Sequence, residues 1–115
     1  GVVDAAPYDR STAMLSVDGD EEMLGEMAGL FLQECPRQIE QIVQAFGAGD
    51  AKSLSRAAHT LKGSAAMFGA EGVRSTALRL EKMGSNGDLA EYDEAMQILE
   101  VEVNRLYSAL EKLAK

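Results

Sequence analysis

The sequence predicts an all-α protein, an antiparallel up-down-up-down four-helix bundle with a short N-terminal helix that caps one end. The chain of 115 residues contains only two prolines and is rich in Ala, Leu, Glu, Lys, Met and Gln, which favour helix over strand. No segment shows the apolar-polar alternation of a half-buried strand. Long segments instead carry apolar residues at three- and four-residue steps. Short connections between them imply antiparallel neighbours.

The first predicted helix covers residues 9–17. The second, of about 27 residues, lies between a start signal at residues 18–21 and a stop signal at residues 47–49. Asp18, followed three residues later by Glu21, has the pattern of an acidic cap at the start of the second helix. An apolar stripe then continues in phase past Pro36, so we expect a kink there and no break. The stripe consists of Leu24, Met27, Phe31, Cys35, Ile39, Ile42 and Phe46.

Turn residues separate the third and fourth predicted helices from their neighbours. The third follows Gly47-Ala-Gly49, begins after a cap at Asp50 and runs to about Phe68. The fourth covers roughly residues 71–83, and the glycine-containing segment 84–87 ends it. The residues of the fourth helix that we expect to face inward are Val73, Ala77 and Leu80.

The last predicted helix carries a heptad pattern. Asp88 and Glu91 have the spacing of a capping box that opens it. Its apolar residues alternate at steps of four and three: Tyr92, Met96, Leu99, Val103, Leu106, Leu110 and Leu113. Such a face is typical of an intermolecular coiled coil or of one wall of a bundle. We favour the bundle, since the other amphipathic helices need a partner face. A non-catalytic helical dimerisation or adaptor module remains the alternative.

Composition excludes several classes of function. The net charge of −8 argues against a nucleic-acid partner, which requires a basic surface. No apolar run approaches the roughly 20 residues of a membrane helix, and no signal-peptide pattern opens the chain. We therefore expect no membrane insertion and a cytoplasmic location. One cysteine and one histidine provide neither a disulfide framework nor a zinc or haem site. We expect residues 1–8 to be a linker or a remnant of cloning, and residues 9–115 to be one domain.

The only histidine lies on the outer face of the third predicted helix. At 100° per residue, Lys52, Arg56, His59 and Gly63 fall on one side, with Lys62 close to them. The opposite side is the core face and consists of Leu54, Ala57, Ala58, Leu61, Ala65 and Phe68. A glycine in a helix interior costs about 1 kcal/mol relative to alanine, so Gly63 calls for an explanation. An inert and a functional surface histidine both remain open at this point.

These features suit a histidine that carries a phosphoryl group. Neutral imidazole is a good nucleophile near pH 7. Lys62, one turn after His59, can reach phosphoryl oxygens with a charge-assisted hydrogen bond. Gly63 lies on the face of His59 and leaves room for a partner's active site. A hydrolase that uses His59 with Ser64 is rejected, because the two lie about 140° apart around the helix and no third residue orients the base.

The sequence AHTLKGSAAMFG at residues 58–69 resembles the signature of histidine-containing phosphotransfer (Hpt) domains. The resemblance extends over residues 9–113. It includes FLQECP at residues 31–36, LRLE at residues 78–81 and the long last helix. The family's fold is a four-helix bundle. The resemblance therefore implies the same fold that the periodicity predicts.

The resemblance also implies roles for individual residues. His59 would accept a phosphoryl group from an aspartate of a receiver domain and donate it to another such aspartate. Lys62 and Gly63 match the lysine and the glycine of the family motif. Glu81 lies where related domains carry a polar residue that bonds the non-reacting ring nitrogen, so we expect it to orient His59. The docking surface is expected to contain Arg56, Thr60, Ser64 and Met67, joined by Met14 or Leu15 as the apolar side of the leading helix.

The same resemblance implies a stoichiometric carrier of a two-component phosphorelay and not an enzyme. The expected partners are receiver domains of response regulators and, upstream, a hybrid sensor histidine kinase. The sequence leaves open whether the chain is free-standing or a piece cut from such a kinase, and we favour the second reading. We expect a monomer with no metal and no cofactor of its own, and Mg²⁺ on the partner receiver. The open alternative is the phosphoacceptor domain of a chemotaxis-type kinase, which takes its phosphoryl group from an ATP-bound kinase domain. Glu81 is compatible with that alternative.

Overall fold

The structure is a computed structural model that describes residues 6–114. Five α-helices make up most of these residues. In chain order they are α1 (Arg10–Ser16), α2 (Glu21–Gly47), α3 (Ala51–Met67), α4 (Glu71–Asn86) and α5 (Tyr92–Leu113). The four long helices form a ring in which α3 packs against α2 and α4, and α5 packs against α4 and α2. The short α1 lies against α2 and α3. The predicted all-α bundle with a short N-terminal helix is therefore confirmed.

The predicted linker over residues 1–8 lies partly outside the described residues, since residues 1–5 belong to the part that is not described, as does residue 115. Tyr8, at the end of this segment, is half-buried and packs against the core. The packed part of the chain therefore includes Tyr8.

The buried side of α1 differs from the predicted one. Ala13 and Val17 are 0% and 5% exposed, whereas Leu15 is 80% exposed. Met14 is half-buried and packs at the edge of the core. The prediction that Met14 and Leu15 share the apolar side was wrong for Leu15. A helix of seven residues is too short for its own periodicity to define a face, so its contacts with α2 and α3 decide which side is buried.

Two predicted capping patterns do not form. Before α2, the cap is Asp20 and not Asp18: its side chain accepts hydrogen bonds from the backbone N–H groups two and three residues later. Asp18 lies in the preceding turn with φ +52°. Before α5, Glu91 is the cap residue, and its side chain makes no cap hydrogen bond. Asp88 instead accepts from the N–H of Ala90 within the turn, at 3.2 Å.

The fourth helix is longer than predicted, because Gly84 lies inside it and does not end it. A Cβ atom on Gly84 would lie 2.6 Å from the Ala51 carbonyl oxygen and 2.6 Å from the Ser55 backbone nitrogen of α3. The helix ends at Gly87, which adopts the left-handed conformation with φ +70°. Gly84 is therefore a packing residue that lets α3 and α4 approach closely.

The heptad face of α5 lies inside the bundle. Its fully buried members, none more than 6% exposed, are Tyr92, Leu99, Val103, Leu106 and Leu110. Tyr92 stacks on Phe46 of α2 with ring centroids 3.6 Å apart. The apolar stripe of α2 is buried or half-buried along its length, and this helix continues through Pro36. The heptad pattern is therefore one wall of the bundle, as we favoured.

Candidate functional site

His59 lies in the middle of α3, and its side chain is 65% exposed. The core face predicted for this helix is buried throughout, and its outer face carries exposed Lys52, Arg56 and Gly63. The outward direction that the helical wheel predicts for His59 is therefore correct. The imidazole is accessible to another protein.

Glu81 of α4 holds the imidazole of His59. The distance between Nδ1 of His59 and Oε2 of Glu81 is 2.9 Å. The hydrogen bond from Lys62 and then that from His59 lower the pKa of Glu81, against the opposing effect of its partial burial. An ionised carboxylate only accepts hydrogen bonds, so Nδ1 carries the proton of the neutral ring. The second nitrogen, Nε2, therefore keeps its lone pair and is chemically able to act as a nucleophile.

Lys62 completes a chain of three charged or polar groups. Its Nζ lies 2.8 Å from Oε1 of Glu81, while the other oxygen of that carboxylate bonds His59. The side chain of Lys62 is 25% exposed and that of Glu81 is 21% exposed, so their ion pair is partly shielded from water. In this state the ammonium group pairs with Glu81. A role of Lys62 toward phosphoryl oxygens stays a prediction.

Gly63 is exposed, and neither packing nor backbone conformation requires a glycine there. A Cβ atom at this position would meet no other atom within 4 Å. Its φ is not in the left-handed region that favours glycine. The missing side chain therefore changes one thing, the height of the surface beside His59. That Gly63 gives a partner access stays a prediction.

The four predicted docking residues line two neighbouring grooves between α2 and α3. Arg56 and Thr60 line a groove of about 420 Å³. Ser64 and Met67 line a smaller groove of about 210 Å³ toward the end of α3. These grooves flank His59 on the side of α2, whereas Glu81 approaches it from α4. The structure therefore places the predicted docking residues on one side of the histidine.

Leu30 of α2 was not among the predicted docking residues. It is 61% exposed and lines the smaller groove together with Met67, which is 46% exposed. Exposed Leu15 lies near the same end of α3, since its neighbour Ser16 donates a hydrogen bond to the Met67 carbonyl at 2.8 Å. The signal for Leu30 was present in the sequence: it is a large apolar residue outside the buried stripe of its helix. We call Leu15, Leu30 and Met67 the apolar patch.

The positive charges near His59 differ in their pairing. Within residues 6–114, Lys52 and Arg56 form no ion pair. Arg79 of α4, by contrast, pairs with Glu91 and Glu94 and so connects α4 to α5 and its preceding turn. Two unpaired cations therefore share the outer face of α3 with the histidine, on a protein of net charge −8.

Neither a metal site nor a membrane-spanning helix is found within residues 6–114. No group of three or more His, Cys, Asp or Glu side chains there could hold a metal ion. None of the described helices combines the length and the apolar character needed to cross a membrane.

The family model described as "Hpt domain" matches residues 26–113 of this chain. The chain belongs to the Hpt domain family. Hpt domains carry phosphoryl groups in two-component signalling, and the role of a phosphotransfer carrier extends to this Hpt domain. The resemblance found in the sequence is thereby confirmed. The match begins within α2 and includes His59, Lys62, Gly63 and Glu81, while α1 precedes it.

A solved structure supports the same fold. This Hpt domain is similar to the crystal structure of histidine-containing phosphotransfer protein B (HptB) from Pseudomonas aeruginosa PAO1, with a TM-score of 0.87. The two chains share 20% sequence identity, and the match covers 95% of each. At this identity the likeness is one of fold. A search of curated proteins gave no match.

Proposed function

We propose that His59 is the phosphorylated residue of a phosphorelay. It accepts a phosphoryl group from the phospho-aspartate of one receiver domain and passes it to an aspartate of another. The observation that carries this proposal is the hydrogen bond from Nδ1 of His59 to Glu81, 2.9 Å long, on an exposed imidazole. This bond leaves Nε2 free to attack.

The proposed step needs a nucleophile and a place for the charge that develops. The lone pair of Nε2 attacks phosphorus, the bond from phosphorus to the aspartate oxygen breaks, and its electron pair stays on the aspartate. The ring then carries a positive charge, with the proton still on Nδ1. Glu81, 2.9 Å away, stabilises this charge in the product and in the transition state. In the return step the neutral ring leaves, so the same contact serves both directions.

Lys62 has two proposed roles in sequence. Before transfer it pairs with Glu81 at 2.8 Å and so keeps the carboxylate ionised and acceptor-only. After transfer the phosphoryl group adds about two negative charges at neutral pH. Lys62 then turns toward the phosphoryl oxygens while Glu81 keeps the charged ring. Charge compensation and positioning are the main requirements of phosphoryl transfer, and Mg²⁺ is expected on the receiver.

The surface around His59 suits the proposed receiver partners. A receiver's phosphorylation pocket is acidic, and the unpaired Lys52 and Arg56 offer complementary charge. The apolar patch supplies a surface that docking would remove from water. The buried heptad face of α5 supports a carrier that works as a monomer. Sedimentation equilibrium measures the molar mass in solution and so tests this directly.

The test is phosphorylation by a phosphorylated receiver domain, with wild type compared with His59→Gln. We expect an acid-labile, alkali-stable label on the wild type alone. Val101→Gln, an exposed change on α5, is the matched control and should be labelled like the wild type. A label that persists in His59→Gln would contradict the proposal. A second arm offers ATP and a chemotaxis-type kinase core: labelling in this arm alone would support the chemotaxis-type alternative.

A further inference from the structure

A second surface lies between α2 and α5, away from the proposed phosphorylation site. Since α3 and α5 are diagonal in the ring of helices, the face formed by α2 and α5 is opposite the face formed by α3 and α4. His59 and Glu81 belong to that opposite face. A ligand between α2 and α5 would therefore leave His59 accessible.

This surface is a groove of about 720 Å³ with an apolar floor. Ile39 and Met96 are half-buried in it, and Val103 is 4% exposed. Val43, which also lines the groove, is 49% exposed although it is a large apolar residue. Contact between water and these apolar side chains is unfavourable, and a partner that covers them would release that water.

The shape of the groove fits a helix. Its lining residues on α5 extend from Asp93 to Tyr107, which corresponds to about 21 Å at the helical rise per residue. On α2, lining residues Pro36, Ile39 and Val43 follow at steps of three and four. A helix with an apolar stripe of the same period can lie along such a groove and contact it over about four turns.

The charge of the groove selects the kind of helix. Asp93 and Glu100 line it, and among residues 6–114 no basic side chain does. A second copy of the chain would bring the same acidic residues and a net charge of −8 against them, which is repulsive. Lysine or arginine side chains on either side of an apolar stripe would instead meet complementary charge.

We propose that the groove between α2 and α5 binds a basic amphipathic helix of a partner protein. The apolar stripe of that helix packs on Ile39, Val43 and Met96, and its basic residues face Asp93 and Glu100. A partner held there stays attached while His59 on the opposite face exchanges phosphoryl groups.

The experiment measures binding of a fluorescein-labelled 18-residue Leu/Lys peptide with one apolar stripe to the full chain, by fluorescence anisotropy. We expect one peptide per chain, and much weaker binding of a scrambled peptide of equal composition. Val43→Gln and Asp93→Lys/Glu100→Lys should each weaken binding by about tenfold. Circular dichroism checks that both variants keep their helices.

Matched controls distinguish binding of the peptide in the groove from nonspecific attraction of a basic peptide to an acidic protein. Val101→Gln changes an exposed valine on the outer side of α5. Glu26→Lys/Glu111→Lys changes the net charge by the same amount at exposed positions outside the groove. Both should bind within about twofold of the wild type. Equal losses in test and control variants would overturn the proposal. So would a dimer in light scattering that Val43→Gln dissociates, since a second copy would then fill the groove.

Discussion

Replacing Gly63 by alanine should stabilise the domain and preserve phosphotransfer, whereas glutamine at the same position should keep the helix and slow transfer. A Cβ atom on Gly63 meets nothing within 4 Å, so the alanine side chain adds no steric cost. Glycine in a helix interior is less favourable than alanine by about 1 kcal/mol. Much of this difference is the conformational entropy of the unfolded chain.

The expected shift in melting temperature follows from the length of the chain. The entropy of unfolding is about 2.1 cal/mol/K per residue, or roughly 0.24 kcal/mol/K for 115 residues. A gain of about 1 kcal/mol should therefore raise the melting temperature by about 4 °C. Gly84→Ala is the matched control. There the added atom would lie 2.6 Å from backbone atoms of Ala51 and Ser55, and overpacking of this kind costs about 1–3 kcal/mol.

Two measurements check this reasoning. Thermal unfolding followed by circular dichroism should rank Gly63→Ala above wild type and Gly84→Ala below it. Transfer from a phosphorylated receiver should be within about twofold of wild type for Gly63→Ala and at least about tenfold slower for Gly63→Gln. If Gly63→Gln transfers at the wild-type rate, the glycine is not an access device. If Gly63→Ala melts lower than wild type, the position is not open.

Three further predictions concern the charge network and the core. Glu81→Gln should slow transfer by about tenfold, because an amide cannot stabilise the charged ring as a carboxylate does. Since the pKa of Glu81 is lowered in the folded state, its carboxylate should stabilise the fold above the ordinary carboxyl pKa of about 4.3. This stabilisation should vanish as the pH falls through the lowered pKa. Urea denaturation of wild type and Glu81→Gln at pH 7 and pH 3 measures it, and an equal difference in unfolding free energy at both pH values would refute the prediction. Leu106→Ala, at a fully buried position, should cost about 2–5 kcal/mol, against under about 0.5 kcal/mol for exposed Val101→Ala. Urea midpoints that depend on protein concentration would instead indicate an intermolecular seam.

The fold could be predicted because its main signals are local. The alternating steps of four and three along the last helix specify one buried face, and Leu106 on that face is 0% exposed. On α3 the wheel separated the buried side, with Leu61 at its centre, from the side that carries His59. Both patterns report burial directly, since each element is long enough for its period to be clear.

Helix ends were harder to predict than the buried faces of the helices, because several acidic or glycine residues are suited to each end. Asp18 and Asp20 both have side chains suited to capping, and the φ of +52° at Asp18 shows that the turn places the second one at the cap. Gly84 has the sequence pattern of a stop signal. Residue 84 is a glycine because α4 lies against the backbone of α3 at this position. Only the packing of the two helices shows that contact.

The candidate site likewise has features that could be predicted from one helix and features that depend on the packing of two helices. The exposure of His59 and the neighbouring position of Lys62 follow from spacing on one helix. The contact of His59 with Glu81 joins residues 22 positions apart, and only the family resemblance pointed to it. The pairing of Lys62 with the second oxygen of Glu81 was not predicted, because it depends on how closely α3 and α4 approach.

That close approach has a consequence for folding. His59, Lys62 and Glu81 all lie on α3 and α4, which are consecutive in the chain and connected by a short turn. Closing such a hairpin costs little chain entropy, and contacts between sequence neighbours form fast. The arrangement of the proposed phosphoacceptor and its carboxylate is thus encoded in one hairpin of two consecutive helices, within 23 residues of the chain counted from His59 to Glu81.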